Sequence, residues 1–192
     1  MLSNIIAFYL YKNNYIKEDE IKIYRYGFAI LLNSLNQIIV LIIFGFIFEQ
    51  LLETVVFLFV FIITRRYVGG YHASKKITCI ALDIILWMIS CGFRTSCKIL
   101  QIHNAVLFLM IFFSLMVIFI YAPLENPHKR LSYRQISKNK IYGRLTVLVF
   151  SIMDVILIIA GLKIYYVFTC TLFLVGILIL AGRRKYAKGT NV

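Results

Sequence analysis

The chain has 192 residues, of which 61% are hydrophobic and 16% aromatic, with a mean hydropathy of +0.86. A globular domain averages about 45–50% apolar residues, so this composition excludes an ordinary water-soluble domain and predicts an integral membrane protein. Lys and Arg number 21 against 8 Asp and Glu, a formal charge of +13, yet apolar spans interrupt the basic runs and no reading module is recognisable, so nucleic acid is not an expected partner.

In chain order, residues 1–26 mix apolar positions (Ile5, Ile6, Phe8, Tyr9, Tyr15, Ile16) with charges and predict an interfacial amphipathic helix. The stretch lacks the pattern of a secretory signal, so the mature chain is expected to keep it. A bilayer core about 30 Å thick needs roughly 17–25 apolar residues per helix. Cutting the apolar runs on that basis places six spans near Phe28–Phe48, Leu51–Thr64, Ile77–Phe93, Ala105–Ala122, Leu145–Leu162 and Ile164–Ala181. The second is short enough to be a tilted or re-entrant segment instead. Pro123–Arg144, with both prolines of the chain and six basic residues, is the longest polar connection. The expected fold class is therefore an all-α integral membrane protein of about six transmembrane helices. One domain occupies 27–182, between the interfacial segment 1–26 and a basic tail 183–192.

The basic residues test this division. Eighteen of the 21 fall before span one (Lys12 to Arg25), after span two (Arg65, Arg66, Lys75, Lys76), after span four (Lys129 to Arg144) or after span six (Arg183 to Lys188). Only Arg94, Lys98 and Lys163 fall in the alternate connections. By the positive-inside rule both termini are cytoplasmic. A re-entrant second span would turn Arg65, Arg66, Lys75 and Lys76 outward, so the charge rule favours a full crossing.

The most polar interruption holds the chemistry: RRYVGGYHASKKITC, residues 65–79. A cysteine attacks a carbonyl as its thiolate, a form favoured by a nearby histidine, by cations or by the positive end of a helix. Cys79 falls in the first turn of span three, near Arg65, Arg66, Lys75 and Lys76, with His72 placed to take the thiol proton. Free backbone N–H groups of that turn are placed to stabilise a tetrahedral oxyanion. In one straight helix, residues seven apart lie about 10.5 Å apart along the axis, too far for direct contact. Gly69 and Gly70, lacking Cβ, allow the backbone to fold His72 back against the helix mouth. By itself, a His–Cys spacing of this kind more often arises by chance.

With its arginines and glycines, and followed by Y-A-P-L-E-N-P at 121–127, this segment resembles the accessory gene regulator B (AgrB) family of bacterial quorum-sensing peptide processors. The resemblance extends over the whole chain in length, hydropathy and motif order. It implies that Cys79 is the nucleophile and His72 the general base, with Arg65 or Arg66, Gly69 and Gly70 shaping the site, and Lys75 and Lys76 beside it. It implies a membrane cysteine endopeptidase that cuts the C-terminal tail from an AgrD-like precursor, holds the rest as a Cys79 thioester and yields a cyclic thiolactone or lactone. The implied partners are that precursor, with an acidic tail, the lipid bilayer and a second copy in a homodimer. The implied location is the bacterial cell membrane, with the site on its cytoplasmic face and no cofactor.

The remaining polar residues admit plainer roles. Asp83, one turn deeper than Cys79, is either a third catalytic group orienting His72 or an internal polar contact to another helix. Asp154 lies mid-span and is expected to face a structural partner. A transporter or channel using Asp83 and Asp154 is the alternative function, and a noncatalytic membrane scaffold a third. His103 and His128 read as loop residues, and Glu125 as part of a turn. Cys91, Cys97 and Cys170 read as packing residues or free thiols, since the four cysteines form no CxxC pair and no zinc-like set.

Overall fold

The computed structural model describes residues 2–70, 76–99, 103–124 and 133–189. Among the described residues seven helices form: α1 (Leu2–Lys12), α2 (Ile21–Ile47), α3 (Leu51–Val68), α4 (Lys76–Ile99), α5 (Asn104–Tyr121), α6 (Tyr133–Ile159) and α7 (Tyr165–Gly189), with one 3₁₀ turn at Glu18–Glu20. The chain is an all-α integral membrane protein. Five of its helices, within Glu18–Ile47, Ile77–Ile99, Asn104–Tyr121, Arg134–Ile159 and Tyr165–Lys185, are long and apolar enough to cross a bilayer. The expected second span, α3, carries Glu53, Arg65 and Arg66 within its 18 residues and lies outside that set.

Three helices stop by the same device. After α1, Tyr15 N–H donates to the Leu10 carbonyl and Asn14 N–H to that of Tyr11, with Asn14 at φ 58°. The pattern repeats after α2 at Glu49 (φ 55°) and after α6 at Gly161 (φ 67°). Each is a left-handed residue that folds the last N–H groups back onto orphan carbonyls. Two expected boundaries shift. A helix does form within residues 1–26, but it ends at Lys12, and Ile21–Tyr26 already belong to α2. The polar connection expected up to Arg144 is helical from Tyr133, because Arg, Gln and Lys are good helix formers and extend α6 beyond its apolar portion.

The described residues form two compact units, Met1–Phe44 and Gly45–Val192. The first consists of α1 and most of α2, whose Ile30, Leu35, Ile39 and Ile43 are exposed, as lipid-facing side chains would be. In the second, α7 is the hub: it packs on α3, α4, α5 and α6 and buries Val167, Phe168, Leu172, Val175 and Ile179. Gly143 sits closely between α6 and α3, where a Cβ would lie 3.3 Å from Val68 Cγ2, whereas a Cβ at Gly176 would make ordinary contact with Phe113 and Ser114 of α5. Hydrogen bonds pin the register: Trp87 Nε1 donates to Thr54 Oγ1 at 2.8 Å, and Thr169 Oγ1 to Asp154 Oδ2 at 2.8 Å. Each removes a polar group from lipid that would otherwise be unsatisfied.

Candidate functional site

Cys79 lies in the first turn of α4, a half-buried free thiol. Its backbone N–H is one of the first four of the helix, which have no intrahelical acceptor. Ile77, Thr78 and Ala81 are exposed, whereas Asp83, Leu86, Trp87 and Ser90 are buried. The spacing 79, 83, 86, 90 therefore puts Cys79 on the packed face of α4 rather than on its outer one. His72 and Lys75 lie outside the described residues, as does the side chain of Lys76, whose backbone opens α4.

Arg65 and Arg66 part company at the end of α3. Arg65 turns inward: its Nη1 stands 3.7 Å from Asp83 Oδ1, with both side chains mostly buried, and its guanidinium lies 5.0 Å above the Phe61 ring. Arg66 is exposed and rests 5.8 Å from the centre of the Tyr67 ring. Asp83, one turn below Cys79, thus makes an internal polar contact with another helix, tying α3 to α4 directly beneath the thiol. Asp154, likewise fully buried, accepts the Thr169 hydrogen bond.

The two glycines shape the end of α3. Gly69 caps α3 by donating its N–H to the Arg65 carbonyl, and leaves the helix at φ 77°, ψ −148°. There it pairs as a parallel bridge with Leu124, whose N–H donates to the Val68 carbonyl at 2.9 Å. A Cβ on Gly69 would collide with the Leu124 carbonyl oxygen. Gly70 continues at φ 137°, a conformation that a side chain disfavours, beside Arg65 Nε and Leu178. The two sequence motifs, R-R-x-x-G-G and Y-A-P-L, therefore meet backbone to backbone although 55 residues separate Gly69 from Leu124.

Two further cations frame this end of the bundle. Arg183 of α7 lies 4.2 Å over the Tyr121 ring. Arg144 of α6 donates to the Phe119 carbonyl at 2.9 Å and covers the Phe119 ring at 5.4 Å. They hold the end of α5, and so the approach of Leu124 to Gly69. In the sequence both read as topology charges. The signal present was their position, each inside a helix at the polar edge of an apolar run, where a long cation reaches back to a carbonyl or ring. Chemically, the arrangement presents one half-buried thiol in the first turn of α4, one turn above the Arg65–Asp83 contact that joins α4 to the end of α3. Among the described residues no three His, Cys, Asp or Glu side chains converge as metal ligands would.

The sequence model of the family described as Accessory gene regulator B matches residues 3–181. The chain is 31% identical over 140 residues to the putative AgrB-like protein 2 of Clostridium perfringens (strain 13 / Type A), covering 70% of this chain and 64% of that protein. It is 28% identical over 153 residues to the accessory gene regulator protein B of Staphylococcus aureus (strain Newman), covering 79% of this chain and 78% of that protein. The match thus spans less than two thirds of the length of the clostridial relative. No solved structure matches the chain.

Proposed function

This chain belongs to the accessory gene regulator B family, and we propose that it is a cysteine endopeptidase of a quorum-sensing system, set in the bacterial cell membrane with its site at the cytoplasmic face. The observation that carries the reading is the position of Cys79: a half-buried thiol in the first turn of α4, one turn above Asp83, whose contact with Arg65 ties α4 to the helix that bears the R-R-x-x-G-G motif.

In the proposed reaction, His72 takes the Cys79 proton and the thiolate adds to the scissile carbonyl of an AgrD-like precursor. The N–H groups of the first turn of α4 hold the oxyanion. Collapse breaks the C–N bond, His72 returns the proton to the departing amine, and the acidic tail leaves. The remainder stays as a thioester on Cys79. A Cys thiol or Ser hydroxyl within the precursor then gives its proton to His72 and adds to that thioester, and Cys79 departs as thiolate, leaving a thiolactone or lactone. Neither step needs an oxidant or a cofactor. The partly enclosed thiol favours ring closure over hydrolysis by limiting water. Arg65 and Asp83 hold α3 against α4 and act on the chemistry through position. In this reading α3 is a complete span, since its 18 residues extend about 27 Å at 1.5 Å per residue, close to a bilayer core.

The direct test is to incubate the purified chain with precursor, quench in acid and weigh the intact protein. The expected adduct equals the precursor less its tail, is released by hydroxylamine and is absent from Cys79→Ala. Processing of precursor by Cys79→Ala at the unmodified rate would overturn the proposal.

A further inference from the structure

The end of the bundle opposite Cys79 contains a second polar site. Arg94 lies 15 residues along α4 from Cys79, about 22 Å at the helical rise. There Gln50 and Glu53 of α3, Cys91, Arg94, Thr95 and Lys98 of α4, and Lys163 and Val167 at the start of α7 surround a cavity of about 140 Å³. Its floor is buried (Cys91, Val167) and its rim exposed (Thr95, Lys98, Lys163).

The three cations of this cavity, Arg94, Lys98 and Lys163, are the same three residues that the six-span reading leaves on the side of the membrane depleted of positive charge. The positive-inside bias works against basic residues there. A topology signal does not explain their presence, and random surface placement does not explain why residues 94 and 163 converge on one space. Glu53 is the single carboxylate in the lining, and no ion pair joins it to any of the three cations among the described residues. The site therefore has an excess of positive charge. The first turns of α3 and α7 also begin at the cavity and add the positive ends of their dipoles.

We propose that this cavity binds the phosphate of an anionic phospholipid headgroup. The surroundings indicate lipid as the source. Leu51, Leu52, Ile99 and Leu162 lie exposed beside the lining residues, placed to meet acyl chains while Lys98 and Lys163 reach up to the phosphate. Glu53 is left to accept a hydrogen bond from a headgroup hydroxyl, which favours a glycerol headgroup over choline. A lipid held there bridges the starts of α3 and α7 to the end of α4, and so braces the far end of the helices that carry Arg65 and Cys79.

The test uses the full-length chain, delipidated in detergent and titrated with phosphatidylglycerol, phosphatidylcholine or soluble glycerol 1-phosphate, with native mass spectrometry as readout. Phosphatidylglycerol should bind in preference to phosphatidylcholine. The combined Arg94→Gln, Lys98→Gln and Lys163→Gln variant should weaken phosphatidylglycerol binding about tenfold or more. A variant with equal charge removed elsewhere, Lys12→Gln, Lys17→Gln and Lys22→Gln, should weaken it by less than about twofold. Equal loss in the two variants would overturn the site, as would unchanged binding in the first. Glycerol 1-phosphate binding as tightly as the lipid would reject the lipid source. Circular dichroism and the elution volume of each variant identify any that fails to fold, and single Lys163→Gln, in an exposed connection, then decides.

Discussion

The two ends of the larger helical unit treat their cations in opposite ways. At the Cys79 end, Arg65 meets Asp83 and Phe61, Arg144 the Phe119 carbonyl and ring, and Arg183 the Tyr121 ring. At the other end, Arg94, Lys98 and Lys163 surround a cavity without an ion pair among the described residues. The first set is spent on internal structure: each cation fastens two segments. The second remains available to an outside anion. Positive charge near a membrane surface therefore has two uses, and contacts, rather than count, tell them apart.

The largest break in this contrast should come from the thiol itself. Cys79→Ala and His72→Ala are each expected to cut precursor cleavage by about a thousandfold or more, while Cys91→Ser and Cys97→Ser stay within about threefold, since nothing places those buried thiols at the helix mouth. Cleavage assays on membranes with matched protein levels decide it. Next comes the backbone junction. Gly69→Ala adds a Cβ against the Leu124 carbonyl at a φ of 77°, a strain of about 1–3 kcal/mol, and should lower both activity and thermal stability. Gly27→Ala, with nothing within 4 Å, should leave both intact. Equal behaviour of the two alanines would mean that the two motifs need not touch.

The Arg65–Asp83 contact ranks third. Asp83→Ala should destabilise the chain by about 3 kcal/mol, the low end of the cost of breaking a buried ion pair, and reduce kcat through misplacement of α4. Asp83→Glu should restore part of both, because it returns a carboxylate to Arg65. A melting curve for Asp83→Ala that overlays the parent's would remove the bracing role. The smallest effect separates residues that the sequence groups together. Arg134, Lys138 and Lys140 are exposed on α6, whereas Arg144 bonds inward. Converting the exposed three to Gln should leave stability unchanged while raising KM for an acidic-tailed precursor and flattening its salt dependence. Arg144→Gln should instead cost about 1–3 kcal/mol of stability. If KM stays at the parent value in the triple variant, the tail is captured elsewhere.

Much of the fold was legible because lipid imposes a one-dimensional rule: long apolar runs must become helices, whoever their neighbours are. The spans expected from 28, 77, 105, 145 and 164 all correspond to helices, and Cys79 lies in the first turn of its helix as its distance from the apolar run requires. The helix ends were less legible. Where α6 begins depends on whether a polar stretch continues a helix already started, and cooperative extension from the apolar part carried it back to Tyr133.

What the amino-acid sequence determined by itself was the class of the protein and the positions of its long apolar helices, local consequences of hydropathy and residue type. Only the tertiary structure decided that Arg65 rather than Arg66 turns inward, that Gly69 meets Leu124 across 55 residues, and that Arg94 and Lys163 share one cavity. Those pairings follow from which helix faces pack on α7. A run of apolar residues specifies that a helix will be buried, but interlocking side-chain shapes, such as the close approach at Gly143, select its neighbour and rotation.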